Sequence, residues 1–78
     1  MLCAEVSLYP QKTNNPNQVI NNAIQSLTGQ NIEYKVGSLS THIHGTDEQV
    51  WAGIKQLYEQ AKNSGEISMV ITMSNAVH

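Results

Sequence analysis

Apolar and polar residues alternate from Leu2 to Tyr9, with Leu2, Ala4, Val6 and Leu8 on one side and Cys3, Glu5, Ser7 and Tyr9 on the other. A period of two residues predicts a half-buried strand. Pro10 ends it, the stretch from Gln11 to Asn17 predicts a loop, and Pro16 suits the first turn of a helix. Val19, Ile20, Ala23, Ile24 and Leu27 then recur at helical spacing, which predicts a helix from about Pro16 to Thr28 with Gly29 as its left-handed cap.

Two short alternating runs follow. Ile32, Tyr34 and Val36 predict a second strand that ends at Gly37 and Ser38, and Leu39, Thr41 and Ile43 predict a third, running from Ser38 to His44. After Gly45, Thr46 or Asp47 can cap a second helix whose buried stripe is Val50, Ile54, Leu57, Tyr58 and Ala61, with Trp51 at its edge. Asn63, Ser64 and Gly65 end that helix. The last strand runs from Ile67 to about Ser74, with Ile67, Met69, Ile71 and Met73 facing one way.

The order strand, helix, strand, strand, helix, strand is the ferredoxin-like βαββαβ arrangement of the α+β class, a four-stranded antiparallel sheet with both helices on one face. The expectation is one domain over residues 1–78. The uncovered sheet face then carries Cys3, Glu5, Ser7, Tyr9, Ser40, His42, His44, Ser68, Thr72 and Ser74, polar but almost without charge.

Composition sharpens this. Only 13% of residues are charged against about a quarter in ordinary soluble domains, so much of the surface is neutral and suited to contact with a partner. Seventy-eight residues also lie near the lower limit for a self-sufficient core, which favours oligomerisation. Four scattered lysines and a net charge of -2 give no face for tracking phosphates, so no nucleic-acid partner is expected. A single cysteine, no signal-like amino terminus and no long apolar run point to a cytoplasmic protein without membrane insertion.

The residues offer little catalytic chemistry. His42 and His44 share one strand face, but two imidazoles do not complete a metal site, and the neighbouring Ser and Thr are poor zinc ligands, so no metal is expected. Ser40 stands next but one to His42, and side chains so spaced on a strand run parallel, which argues against a nucleophile-base pair. No phosphate loop or carboxylate pair is present, and the expectation is a protein that is not an enzyme. Thr41 places a hydroxyl beneath the helices, where it bonds either the local backbone or a ligand. Tyr9 reads equally as a dimer-interface tyrosine or a stacking surface, and Trp51 as a packing aromatic or the wall of a site for a flat heterocycle.

The segment Ser7-Leu8-Tyr9-Pro10 followed by a helix, and Leu39-Ser40-Thr41-His42-Ile43-His44-Gly45 leading into a helix with Val50-Trp51, resembles the YKOF-like thiamine/hydroxymethylpyrimidine-binding family. The strand from Met69 to Ser74 is similar to the family's last strand. The resemblance implies a ferredoxin-like domain that binds thiamine or its hydroxymethylpyrimidine portion without turnover, linked to uptake or salvage of the vitamin. It also implies a homodimer or homotetramer formed through the sheet face, and no cofactor beyond that bound ligand. Carried over by position, it makes Tyr9, Ser38, Ser40, Thr41, His42 and Trp51 the ligand-binding candidates, with Ser40 and Thr41 for the aminopyrimidine and Tyr9 and Trp51 for stacking. The competing expectation is a structural or regulatory oligomerisation domain with no small-molecule ligand.

Overall fold

A computed structural model describes residues 1–29, 31–37 and 39–76. Its elements are β1 (Leu2–Pro10), α1 (Pro16–Gln25), β2 (Glu33–Val36), β3 (Thr41–Gly45), α2 (Asp47–Lys62) and β4 (Ile67–Ser74). The strands form one antiparallel sheet in the order β2-β3-β1-β4. This is the βαββαβ arrangement that the alternation predicts. β1 lies between β3 and β4, pairing Ala4 with Ile43 and Met73, and Val6 with Thr41 and Ile71.

The core joins the even-numbered residues of β1 to the apolar stripes of both helices. Leu2, Ala4, Val6 and Ile43 meet Val19, Ala23 and Leu27 on one side and Val50, Ile54, Leu57 and Ala61 on the other. A one-residue slip of register would turn the whole set out to solvent, so this burial fixes the pairing. Gly53 sits in the α2 stripe, and a side chain there would stand 3.3 Å from Ile32 Cδ1 and 3.4 Å from Ile43 Cδ1. The missing side chain lets α2 lie close on β3.

α2 begins with a capping box: the Gln49 N–H donates to Thr46 Oγ1 at 3.1 Å, and the Thr46 N–H donates to Gln49 Oε1 at 2.9 Å. Asp47 and Glu48 occupy the first turn, where carboxylates complement the positive end of the helix dipole. α1 starts on Pro16 with no side-chain cap. It stops at Gln25, short of the expected Thr28, because the Leu27 and Thr28 N–H groups donate to carbonyls only three residues back and tighten the chain into turns. Gly29, at φ +87°, follows those turns.

Four apolar expectations are corrected: Val36 and Ile71, expected on the helix-facing side, are exposed on the edge strands β2 and β4, and Leu39 and Tyr58 differ for local reasons. Leu39, expected under the helices, is 89% exposed, because β3 begins only at Thr41 and Leu39 precedes it, outside the paired strand whose alternation would turn it inward. Tyr58, expected in the buried stripe, is 45% exposed and lies beneath Lys62, whose Nζ is 5.4 Å from the ring centre. Positions 50, 53, 54, 57 and 61 complete the buried face of α2 without it. No helix of the described residues is long and apolar enough to cross a membrane.

Candidate functional site

Two turns of α1, the middle of β1 and the start of β3 line an open-sided cavity of about 200 Å³. Each wall follows from a local periodicity. Asn17, Ile20, Asn21 and Ile24 are spaced i, i+3, i+4 and i+7 and present one face of α1, while Val6 and Leu8 share the helix-facing side of β1. Thr41 closes the inner end. It stands opposite Val6 in the ladder and is only 4% exposed, the one buried polar residue among those described. Val36, Gly37, Leu39 and Ser40 form the rim.

The chemistry of this lining is specific. The apolar walls suit a flat ring, and the Asn amides and the Thr hydroxyl supply both donors and acceptors. No residue lining the cavity ionises near neutral pH, so the cavity can bind and orient a ligand but has no proton donor or base of its own. Asn17 and Asn21 were not among the sequence candidates. Their i, i+4 spacing beside Ile20 and Ile24 was the available signal, and Asn in a polar stretch reads locally as ordinary helix surface.

The other candidates fall elsewhere. The Ser40 hydroxyl lies across the sheet from Thr41, donating to Glu5 Oε2 at 2.9 Å, and His42 Nε2 reaches the same oxygen at 3.0 Å. Consecutive residues entering a strand point to opposite faces, so Ser40 and Thr41 do not present their hydroxyls to one space. Glu5 is the shared partner of Ser40 and His42, so the Ser40 hydroxyl donates to the carboxylate and not to the imidazole. His44 Nε2 pairs in parallel with Glu33 Oε2 at 2.5 Å. With Lys35 opposite His42, the uncovered face carries more charge near β2 than the sequence reading expects. A shallow hollow of about 200 Å³ between Cys3, Glu5, His42, His44, Thr72 and Ser74 marks the centre of this face. Among the described residues no group of three or more His, Cys, Asp or Glu is arranged to hold a metal ion.

Trp51 is 58% exposed and lines a separate open hollow with Leu2, Asp47 and Met73. Tyr9 sits at the other end of β1 on the uncovered face, opposite Ser68. The seven steps from Leu2 to Tyr9 span about 23 Å of strand, so the two aromatics do not wall one site within a single chain. Ser38 lies outside the described residues. Elsewhere, the hydrogen bond from Lys62 to Glu59, followed by the charge of that carboxylate, raises the lysine ammonium above its ordinary pKa, on the outer face of α2 and away from either cluster.

Comparison with known proteins gives the chain's fold relatives and its family. Three solved structures share the fold over nearly the whole chain. Protein SP2199 from Streptococcus pneumoniae superposes with a TM-score of 0.89 at 15% identity, over 97% of this chain and 87% of its own. A domain of the DUF77 type from Bacillus cereus gives 0.84 at 20% identity, over 96% and 75%. A candidate thiamine biosynthesis/salvage protein, TM0486 from Thermotoga maritima, gives 0.82 at 17% identity, over 96% and 83%. At these identities the likeness establishes the fold. No curated protein matches in sequence. Residues 4–76, by contrast, match a sequence family described as thiamine-binding protein, one named for binding and not for a reaction. The chain therefore belongs to the thiamine-binding protein family.

Proposed function

We propose that this protein binds thiamine, or its hydroxymethylpyrimidine portion, without turning it over, and that the pyrimidine ring occupies the cavity between α1 and β3. The observation that carries this reading is the lining itself: Thr41, Asn17 and Asn21 are set among Val6, Leu8, Ile20 and Ile24, with no ionisable group. An aminopyrimidine needs donors and acceptors around a flat apolar ring, and the hydroxyl and amides supply both. The volume of about 200 Å³ falls below the roughly 300–1,000 Å³ of pockets that enclose a drug-sized molecule. One ring fits inside, and the rest of thiamine extends past the rim at Gly37 and Leu39. The role that fits is delivery of the vitamin or its precursor during uptake or salvage, in the cytoplasm.

The test is a thermal-shift series with thiamine, hydroxymethylpyrimidine and thiamine phosphates. A ligand at a hundredfold excess over its Kd stabilises the folded state by about 2.7 kcal/mol. For a domain of this size each kcal/mol raises Tm by about 4–8 °C, so a rise on the order of 10 °C is expected for the pyrimidine and for thiamine. A flat response to the whole series contradicts the reading.

A second reading, a structural or regulatory oligomerisation domain, is favoured by the uncovered sheet face. Tyr9 and Val70 are 53% and 57% exposed there, on adjacent strands. Both readings include a homodimer or homotetramer built through this face. Val70→Lys places a charge in the patch and is expected to shift sedimentation to the monomer while leaving ligand affinity within about twofold. Loss of both together would favour a site completed across subunits.

A further inference from the structure

The cavity rim is held in place from the far side of the sheet. Leu39 and Ser40 border the cavity, yet among the described residues their side-chain hydrogen bonds come from the uncovered face of β1: Ser7 Oγ donates to the Leu39 carbonyl at 3.5 Å, and Glu5 Oε2 accepts from Ser40 Oγ at 2.9 Å. A backbone bond from the Gly37 N–H to the Ser40 carbonyl at 2.8 Å adds to these. β2 is a four-residue edge strand with three exposed residues, and Leu39 reaches no core partner, so packing does little to fix this end of the hairpin. Neither Glu5 nor Ser7 lines the cavity.

We infer that Glu5 is a positioning residue for the ligand site, clamping the rim through Ser40 from the opposite face of the sheet. The inference rests on the ligand occupying the α1–β3 cavity. A carboxylate acceptor makes the Ser40 bond the stronger of the two side-chain ties. Glu5 shares its Oε2 between Ser40 and His42, so the clamp and the histidine of the uncovered face act through one atom. When the clamp is released, the rim must be ordered as the ligand binds, and that ordering is subtracted from the affinity.

The experiment compares Glu5→Ala, Glu5→Gln and Ser7→Ala with the unaltered protein, using hydroxymethylpyrimidine and thiamine in calorimetric titrations and amide hydrogen exchange at Gly37 without ligand. Glu5→Ala is expected to speed Gly37 exchange and to weaken binding roughly three- to tenfold, with ligand-free Tm little changed. Glu5→Gln keeps a carbonyl acceptor for Ser40 and is expected to restore most of the affinity, while Ser7→Ala has the smaller effect. Unchanged exchange at Gly37 in Glu5→Ala, or affinity lost equally in Glu5→Gln, overturns the inference. If the unaltered protein binds neither compound, the functional reading fails and the positioning role falls with it. Binding that is insensitive to Glu5→Ala overturns the positioning role alone.

Discussion

Thr41→Val is expected to lower affinity for hydroxymethylpyrimidine and thiamine about five- to a hundredfold while leaving the ligand-free protein as stable as before. The two side chains have nearly the same shape, and the substitution removes one hydroxyl from a position that is 4% exposed and lines the cavity. Among the described residues no buried side-chain nitrogen or oxygen lacks a partner, and Thr41 lines the cavity, so valine there leaves no new unpaired group within the fold. Valine also suits a strand. The loss falls on the complex, where a polar atom of the ligand would be left unpaired in the cavity at about 1–3 kcal/mol. Paired calorimetric and thermal measurements check both halves. Unchanged affinity would remove Thr41 from the site, and a fall in ligand-free Tm would identify its hydroxyl as a structural group.

Leu57→Ala is expected to cost about 2–5 kcal/mol of folding stability, the usual range for truncating a buried leucine. Leu57 is among the largest fully buried side chains, and it lies at the centre of the α2 stripe, between Ile54 and Ala61 and over the sheet. Seventy-eight residues at roughly 0.05–0.15 kcal/mol each give a total of about 4–12 kcal/mol, so one truncation removes a large share of it. Urea denaturation should show a lower midpoint at nearly constant slope. Tyr58→Ala next to it is the control: the ring is exposed, and its loss should stay within about 1 kcal/mol. Equal costs at the two positions would mean that the stripe has been assigned to the wrong helix face.

The elements were legible in the sequence wherever burial imposes a period. The alternation from Leu2 to Leu8 and the spacing of Val50, Ile54, Leu57 and Ala61 each encode a face, and the parity of Thr41 with Ile43 placed its side chain under the helices, where it is found. The family was legible too, through the Ser7-Leu8-Tyr9-Pro10 end of β1 and the run from Leu39 to Gly45. The site was less so, because it depends on distances between elements. Asn17 and Asn21 acquire meaning only once α1 is laid over β1. Ser40 meets Glu5 through a cross-strand register that no local pattern states. Gly53 carries no hydrophobic signal, although its close approach to Ile32 and Ile43 fixes the face of α2 and so leaves Tyr58 outside.

The central claim, a vitamin or its pyrimidine held between α1 and β3, is tested most directly by titrating hydroxymethylpyrimidine into isotopically labelled protein and following the methyl resonances. Saturable shifts concentrated at Val6, Leu8, Ile20, Ile24 and Thr41 are predicted, with the Val70 methyls unmoved. Shifts centred instead on Val70 and the uncovered face, or no shift at any of these methyls, would contradict it.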